Sequence, residues 1–379
     1  MAEGIFWVAV GLIAFTYAGY SLLILVISRV VRNPVHRADI LPRVTFLITA
    51  YNEEKNLATK IEQTLALDYP ADKLELIVAS DGSTDRTDDI VRSFASRGVK
   101  LIRVEGRVGK TETQNQAVRA ASGDVVIFSD ATTRYEQSAI RRLVRNYADA
   151  TVGAVSGRYE YFNPHGASIG VGSILFWKYE NLIKTLQSDI KTITGCCGCI
   201  YSVRRSAYRP LPPEIISDLC EPLKVLESGF RIVFEPEAIA YEETTEKTRE
   251  EFNMRVRVVT RGMRGMLYMR PLFNPFRHGF VSLQLLSHKV LRWFVPLFMA
   301  VAFAANAFLL DRPFYLGTFL LQAAFYLAAA LGLAAERWRF RAALVSVPLY
   351  FMTVNIAAVV AMYRIWKGYK AVTWETVRR

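Results

Sequence analysis

Apolar residues gather at the two ends of this chain, and that distribution limits what it can fold into more than any motif does. Ile5 to Val31 is long enough to cross roughly 30 Å of hydrocarbon. Three further runs follow near the other end, Trp293–Leu310, Phe314–Ala335 and Ala342–Tyr363, and the stretch ahead of them, Phe276 to Leu291, reads as a helix lying in the membrane interface. Between about Pro42 and about Arg277 the residue usage is that of a water-soluble domain. A hydrophobic content of 52% therefore describes membrane segments added to an ordinary core. The expected division is a transmembrane anchor over 1–41, a soluble domain over 42–274, and an interfacial helix with membrane segments over 275–379.

Charge then orients the chain. Arg29, Arg32 and Arg37 follow the first apolar run, and Lys289 and Arg292 precede the second. Basic loops stay on the cytoplasmic side, so the N-terminus is expected outside and the domain inside. A cleaved signal peptide carries its basic residues ahead of the apolar stretch; here they come after it, which reads as a retained anchor. The net charge of +12 is explained by these flanks, and no zinc-finger or other nucleic-acid motif accompanies it, so nucleic acid is excluded as a partner. Four crossings would leave Arg364, Lys367, Lys370, Arg378 and Arg379 outside, against the rule. Either the rule is broken, or one late segment, such as the last with Pro348 and Asn355, enters without crossing.

The middle of the chain alternates two kinds of signal. Arg43–Thr49, Leu74–Ala79, Lys100–Val104 and Asp124–Ser129 are short, β-rich apolar runs. Helical patterns lie between them at Glu54–Leu67, Thr84–Ser96 and Thr111–Ala121. Such alternation implies a mostly parallel sheet with helices on both faces, and ligands bind such sheets beyond the carboxyl ends of the strands. Three of the four strands end in polar clusters: Ala50-Tyr51-Asn52-Glu53, Asp81-Gly82-Ser83 and Asp130-Ala131-Thr132. Asp81 is placed to accept hydrogen bonds from a base or ribose, and Asp130 to hold a divalent cation against a diphosphate, since hard cations prefer carboxylate oxygen. Taken singly, an Asp before a helix is an ordinary cap; the repetition on successive strands is what points to a site. Gly109-Lys110-Thr111 has the look of a P-loop end, but that motif needs a glycine where Val104 stands, so an ATPase is excluded.

Ala50-Tyr51-Asn52-Glu53, Asp81-Gly82-Ser83, Gly109-Lys110 with Asn115, and Asp130 in this order resemble the motif series of family 2 glycosyltransferases. The resemblance covers most of residues 42–270 and is specific as a set. It implies a GT-A fold, a Rossmann-like α/β domain, here with transmembrane helices at both ends as in bacterial exopolysaccharide synthases. It further implies that Ala50, Tyr51, Glu53, Asp81 and Lys110 bind the nucleotide sugar, commonly a uridine one. Asp130 would stand in the Asp-x-Asp motif that carries Mg2+ or Mn2+. Thr132 occupies that motif's second carboxylate position, which weakens the expected dependence on metal.

Inversion by direct displacement needs a carboxylate to take the acceptor hydroxyl's proton. Where the family has a Thr-Glu-Asp-like motif this chain has Ile216-Ser217-Asp218, and Asp218 is the expected base, with Glu221 in reserve and a helix-cap role as the bland alternative. Phe252 to Met269 reads as a helix with Arg257, Arg261 and Arg264 on one face; Arg257 and Arg261 suit a departing diphosphate, and the same stripe would suit lipid head groups. Processive relatives carry Gln-x-x-Arg-Trp near here. Arg255-Val-Arg257-Val258 lacks it, and Lys289-Val-Leu-Arg292-Trp293 resembles its end but reads as an interface anchor. The cysteine-rich Gly195-Cys196-Cys197-Gly198-Cys199 fits neither a disulfide framework nor a zinc site, and reads as a tight turn leading into a buried strand. The expected function is inverting transfer from a nucleotide sugar to a growing polysaccharide or glycolipid at the bacterial inner membrane. The alternatives are single-sugar transfer to a polyprenyl phosphate and a membrane protein that senses nucleotide without chemistry.

Overall fold

The structure, a computed structural model, describes residues 1–164, 166–336, 343–369 and 372–373. Its centre is one sheet of eight strands in the order β3-β2-β1-β4-β7-β6-β8-β5. The strands are β1 Val44–Ala50, β2 Leu74–Asp81, β3 Lys100–Val104, β4 Val125–Asp130, β5 Arg134–Tyr135, β6 Val152–Phe162, β7 Tyr201–Arg204 and β8 Arg231–Glu243. The first four are parallel neighbours, as the alternation required. Beyond β4 the sheet turns mixed: β7 runs antiparallel to both β4 and β6, whereas β6 and β8 are parallel. Every residue of β1 is buried, with Val44, Phe46 and Ile48 in the core of one face and Leu47 in that of the other. A strand covered on both sides reads as a continuous apolar run, and β1 was recognisable for that reason.

The strand order reverses between β1 and β4, so the crevice at their carboxyl ends is the topological switch point where such sheets bind ligands. Thr49 of β1 stands opposite Asp130 of β4 in register, which puts two of the expected motifs side by side. The expected helices are present; the first two are shorter, at Leu57–Leu65 and Thr87–Ser93, and the third keeps its length but starts one residue earlier, at Lys110–Ala120. The first residues expected in those two form turns instead; ahead of the first, Asn52 takes φ +51° and Asn56 N and Leu57 N both donate to Glu53 O before the chain coils.

Among the described residues, four helices are long and apolar enough to cross a membrane: Ala2–Val30, Phe280–Ala307, Pro313–Ala335 and Leu344–Trp366. The separate interfacial helix expected at Phe276–Leu291 is not there. Pro275–His278 makes a single turn that stops at Gly279, and from Phe280 the chain coils continuously to Ala307 through a wide turn at Leu286–Val290. This stretch sends polar side chains into the domain: Gln284, just before the wide turn, donates to Thr192 O at 3.2 Å, and His288 Nε2 within it lies 3.2 Å from Glu180 Oε1. Lys289 and Arg292 are partly buried and turned to the same carboxylate, so they are not surface anchors as the sequence suggested.

The last apolar helix, Ala343–Trp366, differs from the other three. Half of its most apolar window is buried, against 11–28% for the others. It lies along the helix Thr248–Tyr268: Arg255 donates to Tyr350 OH at 2.8 Å, Val259 packs on Ala358 and Ala361, and Arg264 donates to Tyr369 O at 2.6 Å. It also crosses Ser168–Ile190 where Gly172 lets Tyr350 approach, since a Cβ there would meet the ring carbon at 2.5 Å. At the end of Pro313–Ala335, Glu336 accepts from Thr248 N, and beyond the last helix Val372 O lies where a Cβ on Gly109 would meet it at 2.5 Å. Of the basic tail, Lys370, Arg378 and Arg379 lie outside the described residues.

Candidate active site

The polar strand ends form two layers. In the outer layer the β1 and β2 loops lock together: Asn52 N donates to Ser83 Oγ at 3.2 Å, Thr84 N to Asn52 Oδ1 at 2.8 Å, and Glu53 N to Thr87 Oγ1 at 2.8 Å. Tyr51 stacks under the Arg107 guanidinium, 3.9 Å from the ring centre. Asp81 is wholly buried, and its carboxylate accepts from Val108 N, Gly109 N and Thr113 Oγ1 at 2.8 to 3.1 Å. Its immediate task is to hold the loop that delivers Arg107 and Lys110. Ala50 contributes backbone only and is buried beneath this layer.

The inner layer is a cavity of about 420 Å³. Of the nine residues singled out from the sequence, it brings together Glu53, Lys110, Asp130, Asp218, Arg257 and Arg261; Ala50, Tyr51 and Asp81 stand outside it. Lys110, at the start of its helix, is ion-paired with Asp130. Burial works to lower the Lys110 pKa, but Asp130 and Asp218 beside it outweigh this and raise it. Glu53 is 7% exposed and is pushed up to about 7, mainly by burial and further by Asp130, Asp85 and Glu242.

Asp218 sits in the first turn of the helix Ser217–Glu227. The cap position is Ile216 and no side-chain cap bond is made, so the helix-cap alternative is set aside. Neighbouring segments fix the backbone that carries it: Thr111 Oγ1 donates to Ile215 O at 2.7 Å, Arg261 to the same oxygen at 2.9 Å, and Cys196 N to the Asp218 backbone carbonyl at 3.0 Å. Burial raises its pKa, with Lys110 and Arg261 partly offsetting that. A carboxylate that is more basic than usual, partly exposed to a cavity and facing a lysine, is suited to accept a proton. Glu221 is not a usable reserve. It is 1% exposed, does not line the cavity, and burial holds its carboxyl well above the usual range.

The arginine stripe divides into three roles. Arg257 lines the cavity, Arg261 is buried and bonded to Thr111 and Ile215, and Arg264 holds the backbone of Tyr369. None of the three is simply turned to lipid.

Several cavity residues were not foreseen. Glu242, at the end of β8, accepts from Thr132 Oγ1 at 2.8 Å and from Tyr159 OH. It reaches Thr132 because β5 pairs with β8; the only signal in the sequence was a hydroxyl standing where a carboxylate was expected. Glu180, Arg292 and the rings of Phe176 and Trp177 line the far end, together with Tyr17 of the first span and Asn355 of the last helix. For a divalent cation, no group of three His, Cys, Asp or Glu side chains stands at metal-holding spacing among the described residues. Thr49 Oγ1, opposite Asp130, is buried with no hydrogen-bond partner among the described residues. This donor set suits an ion held by one carboxylate and the ligand's own phosphates, not a cage made by protein alone.

Residues 45–211 match the family model described as Glycosyl transferase family 2. The chain is 30% identical over 243 residues to a Bacillus subtilis (strain 168) protein named "Probable glycosyltransferase YdaM", covering 60% of this chain and 56% of that one. It is 29% identical over 220 residues to the poly-beta-1,6-N-acetyl-D-glucosamine synthase of Staphylococcus aureus (strain COL), covering 55% and 52%. The chain thus spans about half the length of these curated relatives. Among solved structures, the mannosyltransferase PcManGT from Pyrobaculum calidifontis, in complex with GDP-Man and Mn2+, superposes with a TM-score of 0.71 over 97% of this chain and 99% of that chain. At 21% identity that likeness is one of fold.

Proposed function

With residues 45–211 a glycosyl transferase family 2 domain on a GT-A fold, we propose that this chain transfers a sugar from a nucleotide donor to a membrane-borne acceptor with inversion. The observation that carries the reading is the meeting of Lys110, Asp130 and Asp218 in one cavity at the switch point. Tyr51, Glu53 and the loop held by Asp81 take the nucleotide, a uridine one by expectation. Lys110, Arg257 and Arg261 face the diphosphate, and Asp218 takes the proton of the attacking hydroxyl. Asp130 would hold Mg2+ or Mn2+, which would neutralise the leaving diphosphate. The cavity continues to Tyr17 and Asn355, so the acceptor, a growing glycan or a glycolipid, reaches the base from the membrane side. Transfer to a polyprenyl phosphate is the second reading, favoured by Lys289 and Arg292 at that end. Incubating the purified protein with radiolabelled nucleotide sugars and sizing the product tests the reading. Label in a lipid or glycan product supports it, and binding without transfer from any donor contradicts it.

The catalytic unit in this proposal is 42–274, on the cytoplasmic side of the bacterial inner membrane. Three helices cross, and Ala343–Trp366 roofs the cavity without crossing. A cysteine added after Arg379 is then expected to share its accessibility with one placed in the 85–98 region: both labelled from the cytoplasmic side and neither by an impermeant reagent in intact cells. Labelling of the tail alone in intact cells would mean that the fourth helix crosses.

The metal gives a further expectation. Thr132→Asp places a carboxylate against Glu242, where like charges repel unless a cation lies between them. The variant is expected to melt below wild type in EDTA, to recover with Mn2+, and to bind Mn2+ more tightly by calorimetry. Wild type is expected to show a weak metal requirement. Indifference of both proteins to Mn2+ and EDTA would mean that Asp130 acts through Lys110 alone.

A further inference from the structure

The cavity wall carries two thiols in contact. Cys197 to Ile200 is a tight turn, closed by Ile200 N donating to Cys197 O at 3.1 Å. Cys197 N donates to Ser156 Oγ at 3.0 Å and Tyr135 OH to Cys199 O at 2.8 Å. The turn sets Cys197 Sγ and Cys199 Sγ 3.4 Å apart, and both residues line the cavity. Cys196 and Cys220 make no sulfur–sulfur contact among the described residues. Gly198, between the paired cysteines, lies against the proposed base: a Cβ there would stand 2.5 Å from Asp218 Oδ2. The residue before the pair, Cys196, bonds Asp218 O. Any change of shape in this turn is therefore transmitted to Asp218.

We infer that Cys197 and Cys199 form an oxidative modification site, which a peroxide closes to a disulfide that displaces Asp218 and blocks transfer. The blocking rests on the reading of Asp218 as base. The two thiols give up two electrons and two protons, one S–S bond forms, the peroxide O–O bond breaks, and two waters leave when the oxidant is hydrogen peroxide. The sulfurs must close from 3.4 Å to about 2.05 Å. The partners lie within one turn, so no distant segment has to move to bring them together. The strain falls on Gly198 and on the Asp218 carboxylate packed against it. A displacement of about 1 Å at a reacting group costs about 10²-fold in rate.

The test uses the full-length protein, purified reduced in detergent and then treated with hydrogen peroxide. The peptide holding Cys196, Cys197 and Cys199 should lose the mass of two hydrogens and resist alkylation at Cys197 and Cys199. Transfer should fall by about 10²-fold and return with dithiothreitol. Cys199→Ala should abolish both the mass change and the peroxide sensitivity, whereas Cys220→Ala should respond as wild type does. Should Cys199→Ala fail to fold, the wild-type peptide mass and its reversal decide. Thiols that stay alkylatable after peroxide, a disulfide that leaves transfer unchanged, or a Cys199→Ala protein as sensitive as wild type would each overturn the inference. A protein inactive even when reduced refutes the transferase reading instead, and the peptide mass still reports on the pair.

Discussion

Asp218→Asn is expected to lower turnover by about 10²–10⁴-fold, the usual contribution of a positioned general base, while donor affinity changes little. Asparagine keeps the size of the side chain and its place in the first turn of Ser217–Glu227, so a structural role alone would leave the rate nearly intact. The pH profile gives an independent reading. Burial raises the Asp218 pKa, and a base is lost when protonated, so wild-type activity should fall as pH drops through that raised value. The acid limb should vanish in Asp218→Asn. Glu53, pushed up to about 7 in the same cavity, titrates nearby; a limb that survives the substitution belongs to it. A polyprenyl phosphate acceptor is already an anion and needs no strong base. In that case Asp218→Asn should stay within roughly tenfold of wild type, well short of a general base's contribution.

Glu180→Ala should destabilise the fold by about 3–5 kcal/mol, the cost of removing one partner from a buried ion pair. The side chain is 6% exposed and is paired with Arg292, with His288 Nε2 at 3.2 Å and Lys289 Nζ at 3.8 Å. Burial alone would raise its pKa, but the Arg292, His288 and Lys289 side chains outweigh burial and hold it well below the usual carboxylate range. The sign follows: the contribution is present at neutral pH and is lost as pH falls through that depressed value. Among the described residues Arg292 Nε and one terminal nitrogen have no hydrogen-bond partner, so the alanine variant leaves the cation resting on the Tyr17, Phe176 and Tyr179 rings without its carboxylate. These residues tie the long helix Ser168–Ile190 to the start of Phe280–Ala307, so the loss should loosen the membrane side of the cavity. Thermal unfolding in detergent measures it, and Glu180→Gln separates charge from volume. A change below about 1 kcal/mol would mean that water in the cavity screens the cluster as it does a surface pair.

How much of this was legible in the sequence depended on whether the signal was local. The four parallel strands could be read because each is a short apolar run closed by polar residues, and their order put Thr49 beside Asp130. The antiparallel half of the sheet could not, because β5 has two residues and gains its meaning only by pairing with β8. That pairing is what delivers Glu242 to Thr132. Asp81 shows the limit of motif reading: a carboxylate at a strand end serves equally to accept from a ligand or from the next loop, and here it accepts from Val108, Gly109 and Thr113. Hydropathy likewise could not tell that half of the most apolar window of Ala343–Trp366 packs on protein, against Thr248–Tyr268 and Ser168–Ile190. Lys289 and Arg292 looked like interface anchors for the same reason: nothing beside them in sequence announces Glu180, which lies over a hundred residues away.

The central claim is that this cavity moves a sugar by one direct displacement across Asp218. The most direct test is to take the donor that labels product, run wild type and Asp218→Asn to comparable conversion, and determine the anomeric configuration of the new linkage by proton NMR. The prediction is a linkage of opposite configuration to the donor, formed by wild type and made slowly by the variant. A linkage that retains the donor's configuration, or equal rates in the two proteins with a sugar-hydroxyl acceptor, would contradict it.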